Sequence, residues 1–264
     1  MINYVNNSFD KVLKPCDAQQ FMTLTQSEQT EKLILGHRAG EKNSKAKLPA
    51  LTYMGVLDEA KYKEYLKKCE AQGTKPLGSR RAEFMRPTGL LMLDFDHVGA
   101  SPDPSQGGVT MTSRIDSPVK LWEYIVNVYD NVDLPLTEWV CLAHVTPSGD
   151  GLRVVVKRAK GTTIEQEQYE WCKAMKLDAI GIKPDAACKD ISRLSFAPMQ
   201  SEVLYYNPSL LFGELPEASD YPDGTLFSGV YTDPLRSATP CSAALVPLKE
   251  GQCLLNSLIR VQTI

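Results

Sequence analysis

The stretch GLLMLDFDHVG, residues 89–99, constrains this chain more than any other. Leu90 to Leu93 form an unbroken apolar run, the pattern of a buried strand. The run leads straight into Asp94, Phe95, Asp96 and His97. Charge at the end of a buried strand is costly unless it is paired or bound to a metal. Strand alternation puts Asp94 and Asp96 on one face, ~6–7 Å apart at their Cα atoms, and Phe95 on the other. Two carboxylates that close repel unless a cation lies between them. Hard oxygen ligands select Mg²⁺ or Mn²⁺. The competing reading makes the acids a solvated strand end and His97 a turn histidine.

The rest of the chain offers partners for those acids. WVCLAHVT and GLRVVVKRA read as two strands joined by TPSGDG, a hairpin-length loop. Gly149 and Gly151 would let backbone N–H groups converge on an anion, and Ser148 adds a hydroxyl. Arg153, Val155 and Lys157 share one strand face. An ordinary glycine turn fits the same residues. Further on, KPDAACKDISRLSF carries Asp185, Asp190 and Arg193. A third carboxylate completes a two-metal site, and an arginine forks onto phosphate oxygens. A surface Asp–Arg pair is the plain alternative. Together the three segments are the parts for metal-assisted phosphoryl or nucleotidyl transfer.

Around these segments, SPVKLWEYIVNVYD reads as a helix with Ser117 as N-cap and Pro118 at its first position. DEAKYKEYLKKCEAQG is a helix that opens on acids and stops at Gly73. Thr163 and Gln166 form a capping-box pattern opening a helix to about Leu177. LPALTYMGVL reads as a short strand ending at Gly55, and ISRLSFAP with SEVLYYN as a closing strand pair. Residues 99–116 form a long Gly/Pro/Ser loop. No steady βαβ rhythm is present. The expected class is α+β, a mainly antiparallel sheet with helices packed on it. Residues 1–214 are read as one domain. Residues 215–264, rich in proline, read as a linker or tail leading toward a further domain.

Composition narrows the function classes. The chain has 264 residues, 43% hydrophobic and 23% charged, the profile of a globular protein with a substantial core. No run is long enough to span a membrane, and no basic-then-apolar leader opens the sequence. Seven cysteines, with no CxxC pair, argue against a disulfide framework and for a reducing cytoplasm. The three histidines make no HExxH site. Net charge is −3, so nucleic acid would need a local basic patch. Two runs qualify: HRAGEKNSKAK, with Arg38, Lys42, Lys45 and Lys47, and KPLGSRRAEFMR, with Lys75, Arg80, Arg81 and Arg86. Solvated loops account for either run equally well.

The order of the pieces resembles the archaeo-eukaryotic primase (primase–polymerase) superfamily: an apolar strand ending in DxD, a Ser/Gly hairpin ending in a basic residue, then an acid near the end of the core. More closely, the chain is similar to the Bacteroides-type primase-like domain of mobile elements, the VirE N-terminal family. The matching segments are KAKLPALTYMG, GLLMLDFDH, TPSGDGLRVVVK and DAACKDISRLSFAP, within about residues 35–210. The resemblance implies an RRM-like palm sheet and Mg²⁺ or Mn²⁺ at a two-metal site. It implies Asp94, Asp96 and Asp185 as catalytic metal ligands, with Asp190 competing for the third place. Ser148, Gly149, Gly151, Arg153 and Arg193 would bind the nucleotide. The implied partners are nucleoside triphosphates, a single-stranded DNA template and a helicase or other replication domain, with no membrane. Arg153 stands where many primases carry histidine, and arginine cannot switch its charge near neutral pH. Nucleotide binding survives that change more easily than polymerase activity does. Two alternatives follow: a nucleotide- or nucleic-acid-binding module of the same fold, and a haloacid-dehalogenase-type phosphatase, whose first motif LMLDFDHVG also resembles.

Overall fold

A computed structural model describes residues 2–98, 115–130, 136–216 and 220–221. In chain order its elements are β1 (Ile2–Val5), β2 (Lys14–Cys16), α1 (Ala18–Thr25), α2 (Glu28–Arg38), α3 (Ser44–Lys47), β3 (Ala50–Thr52), β4 (Gly55–Leu57), α4 (Glu59–Gln72), β5 (Met85–Pro87), β6 (Leu90–Phe95), α5 (Pro118–Asp130), α6 (Leu136–Trp139), β7 (Val140–Val145), β8 (Leu152–Lys157), α7 (Ile164–Ala174), β9 (Ser195–Phe196), β10 (Val203–Tyr206) and α8 (Pro208–Leu211).

The strands form antiparallel sheets, and with the helices they make an α+β fold. One four-stranded sheet has the order β10-β7-β8-β6, and a second the order β2-β1-β3-β9. A two-stranded ribbon, β4-β5, lies between β3 and β6 in the chain. In the first sheet α5 packs on β7 and β8, and α7 on β6. Every residue of β6 is buried, so both faces of this strand are covered. Its register with β8 sets Leu91 opposite Val156, Leu93 opposite Val154 and Phe95 opposite Leu152. That alternation leaves Met92 and Asp94 on the other face, opposite Val155 and Arg153.

The helix signals hold in detail. Asp58 caps α4 by accepting from the Lys61 N–H, and Gly73 ends it with φ +63°, a conformation that favours glycine. Thr163 and Gln166 close the capping box of α7 from both sides. That helix stops at Ala174 rather than near Leu177, because Lys176 turns to φ +52°.

Two strand expectations need correction. LPALTYMGVL is two strands. The chain bends at Tyr53–Met54, where the Thr88 hydroxyl bonds the Tyr53 carbonyl and the Thr88 N–H that of Met54, so β3 and β4 enter different sheets. The expected closing pair is also two separate events. The β9 strand pairs with β3, whereas β10 pairs with β7. The expected loop at 99–116 lies outside the described residues except for its end, as does most of the Pro-rich tail. Part of the chain after Glu214 returns to the core, where Tyr221 is buried, its hydroxyl donates to the Arg158 carbonyl, and the Gly161 N–H donates to that of Asp220. Among the described residues no helix is long and apolar enough to cross a membrane.

Candidate functional site

The end of β6 is a meeting point for three segments distant in the chain. The Asp185 N–H donates to the Asp94 carbonyl at 2.7 Å, fixing the 183–190 loop onto the strand end. On the other side the Val98 N–H donates to the Asp150 carbonyl at 2.7 Å, so the chain leaving β6 runs along the β7–β8 hairpin. Asp94, Asp96, Asp185, Arg193 and the 146–151 turn therefore share one neighbourhood.

Asp94 and Arg153 are the core of it. They are directly cross-strand, and both are more than nine-tenths buried. The Arg153 guanidinium ion-pairs with Asp94 Oδ2 and donates to Ser195 Oγ at 2.7 Å. Burial works against the Arg153 charge, but Asp94 outweighs it and holds the guanidinium above its ordinary pKa. The bond to Ser195, on β9, ties the two four-stranded sheets together at this point. Tyr53 lies within the field of Arg153, and burial pushes its phenol up. On the far side of Arg153, His144 of β7 completes a row of three across the sheet. Its Nδ1 bonds the Val145 carbonyl at 2.8 Å. Burial, then the neighbouring Arg153 charge, hold the imidazole down to about 3, so it stays neutral.

The expectation that Arg153 faces a nucleotide is thus not met in this arrangement. The hairpin register directs Arg153 at Asp94, inside the molecule. The glycine loop is also less open than expected. The Gly149 N–H closes the turn on the Thr146 carbonyl at 2.8 Å rather than pointing out. Gly149 has φ +88°. A Cβ at Gly151 would sit 2.6 Å from Thr146 Oγ1, so the turn admits no side chain there without shifting. Ser148 Oγ lies 2.9 Å from Thr146 Oγ1. The Ser148 hydroxyl, then His97, hold the Asp150 carboxyl below its usual range. His97 Nδ1 is 2.8 Å from Asp150 Oδ2, and His97 has φ +54°.

The outer acids differ in their engagement. Partial burial, then the charge of Asp94, push the Asp96 carboxyl above its usual value, with Asp185 adding to the effect. Asp185 Oδ2 faces Arg193 at 3.7 Å and the Cys188 thiol at 3.6 Å. The same thiol lies 3.7 Å from Asp94 Oδ2 and is pushed up to about 12, mainly by burial, so it bridges the acids as a protonated group. Asp190 instead closes its own turn, accepting from the Ser192 N–H and hydroxyl at 2.8 and 2.9 Å. Of the two competing acids, Asp185 is the one whose backbone bonds the end of β6.

The donor set fits a hard divalent cation in its chemistry. Asp94 Oδ1 is buried without a hydrogen-bond partner among the described residues, and Asp96 is crowded by like charge. As the side chains stand, no group of three His, Cys, Asp or Glu among the described residues surrounds one point as metal ligands would.

Sequence reasoning passed over His144, Ser195 and Cys188. The hairpin register, counted outward from TPSGDG, would have set His144 beside Arg153. Nothing local marks Ser195 or Cys188. Arg38 was read only as part of a basic run. It reaches from α2 to the Pro147 carbonyl at 3.0 Å and to Glu202 at 2.8 Å, clamping the turn. Comparison of the chain with protein-family models, curated proteins and solved structures gave no match.

Proposed function

We propose that this chain is a primase–polymerase-type nucleotidyltransferase domain. It would join nucleoside triphosphates on a single-stranded DNA template with Mg²⁺ or Mn²⁺, in replication of a mobile element. The observation that carries this reading is the junction of Asp185 with the end of β6, which brings the third acid and Arg193 to Asp94 and Asp96. The sheet β10-β7-β8-β6 would be the palm. Asp94 Oδ1, Asp96 and Asp185 would hold the cation. When bound, it would polarise a phosphoryl oxygen and neutralise charge on the leaving pyrophosphate. Arg193, partly exposed beside Asp185, would fork onto phosphate oxygens. Ser148 and the clamped turn would stand on the other side of that strand end.

A second reading has its own support. Arg153 already neutralises Asp94 from inside, which favours a nucleotide- or nucleic-acid-binding module with weak or no catalysis. The dehalogenase-type alternative requires a parallel sheet, and every strand pair described is antiparallel.

The test is incorporation of labelled nucleotides on a single-stranded template with Mn²⁺ or Mg²⁺. The expected result is incorporation that needs the metal and is lost in Asp185→Asn and Asp96→Asn, with template binding retained. Template binding without incorporation selects the binding module. Absence of both nucleotide and template binding removes both readings.

A further inference from the structure

In the second basic run the two arginines at its centre are engaged, whereas in the first the three lysines beyond the clamped Arg38 are not. Arg80 donates to the Ser8 carbonyl at 3.0 Å, and Arg81 pairs with Glu83 at 3.0 Å. Lys42, Lys45 and Lys47 are exposed on and before α3, and among the described residues none has an anionic partner. Three neighbouring cations, with Glu41 the one acid in their run, make a locally basic patch on a protein of net charge −3.

The position of these lysines gives the field a direction. The short α3 leads through Leu48 and Pro49 into β3, whose Ala50 pairs with Phe196 of β9. Lys45 Nζ sits 5.8 Å from the centre of the half-buried Phe196 ring. Three residues before Phe196 is Arg193, which faces Asp185. On the other side, burial and then Lys45 and Arg38 hold His37 below its ordinary pKa, while Asp150 of the turn pulls it up. Through Phe196, Lys45 lies beside β9, the strand that follows Arg193. Alternating cations and an aromatic face suit a flexible polyanion with stackable bases.

We infer that Lys42, Lys45 and Lys47, with Phe196, form the surface that receives a single-stranded nucleic acid and leads it toward the acidic centre. The inference rests on the nucleotidyltransferase reading and names the binding surface of that same site. Phosphates lie on the lysines, and a base stacks at Phe196. An anionic lipid surface would meet the same charges but gains nothing from a half-buried ring at the sheet edge.

The test is fluorescence anisotropy with a labelled oligothymidylate of ~16 nucleotides, over a salt series. The triple variant Lys42→Ala, Lys45→Ala, Lys47→Ala removes only exposed side chains. It is expected to bind about tenfold or more weakly at low salt, with the slope of log affinity against log salt shallower by about 2. Arg80→Ala with Arg81→Ala should leave both quantities unchanged. Wild-type affinity and slope in the triple variant overturn the surface, and template-directed incorporation in that variant would then leave the nucleotidyltransferase reading standing. Failure of the wild-type protein to bind the oligonucleotide overturns both. Tighter lysine-dependent binding to phosphatidylserine vesicles than to the oligonucleotide also overturns the inference.

Discussion

Replacing Arg153 by Met tests the buried pair at the centre of the site. Arg153 and Asp94 are 7% and 4% exposed, so solvent screens neither charge. Removing one member of such a pair costs about 3–5 kcal/mol, because the other charge is left buried and uncompensated. The lost bond to Ser195 adds to this. Against a typical total stability of about 5–15 kcal/mol, that is a large share. For a domain of this size it corresponds to a fall in Tm of roughly 6–20 °C. Urea unfolding followed by circular dichroism gives the number directly. Arg153→Met combined with Asp94→Leu removes both charges and should recover most of the loss. A loss below about 1 kcal/mol in the single variant, or a double variant as unstable as the single one, would refute a buried, charged pair.

Two further outcomes follow from the same geometry. His144 is held to about 3 in the folded protein against an ordinary value of 6.5. Below pH 6.5 the unfolded chain takes up a proton that the folded chain refuses, so stability falls as pH drops from 6.5 toward 3, by about 1.4 kcal/mol per pH unit. His144→Leu should flatten that slope in urea unfolding at pH 7, 6 and 5, and an unchanged slope assigns it to other groups. Gly151→Ala forces a Cβ to within 2.6 Å of Thr146 Oγ1 and 3.0 Å of the Phe95 carbonyl, and should cost about 1–3 kcal/mol by thermal unfolding. Wild-type stability would mean that the turn is not closed as described.

The parts of the fold that were legible in the sequence are those set by local rules. The α4 and α7 boundaries followed from Asp58, Gly73, Thr163 and Gln166, whose side chains and backbone act within one turn. β6, β7 and β8 followed from apolar runs and a glycine turn. What failed was assignment of strands to sheets. β3 and β4 read as one strand because the apolar run does not mark the bend at Tyr53–Met54, which tertiary bonds from Thr88 stabilise. β9 and β10 read as a pair because they are adjacent, yet each finds its partner among strands far away in the chain. At the site, period-two alternation already put Asp94 on the face away from Phe95. It was silent on which residue of β8 stands opposite. The choice between Asp185 and Asp190 rested on one backbone bond to the Asp94 carbonyl, and no residue type encodes that.

The same register gives Arg153 a physical meaning. A neutral histidine opposite Asp94 would leave the carboxylate to be neutralised by a cation from solvent. Arginine is always charged, and here it is enclosed, so that neutralisation is built into the fold through Asp94 Oδ2. Oδ1 remains without a hydrogen-bond partner among the described residues, and the Asp96 carboxyl feels the charge of Asp94 and then of Asp185. A cation bound as proposed would meet an acid already compensated by Arg153, and its binding would rest more on Asp96 and Asp185 than on Asp94. The energetic argument for stability and the chemical argument for activity then pull in opposite directions at Arg153. The charge that lets Asp94 be buried would also weaken its hold on the proposed metal. Arg153→Met is expected to lose stability while gaining affinity for Mn²⁺, and measured Mn²⁺ affinity in that variant separates the two effects.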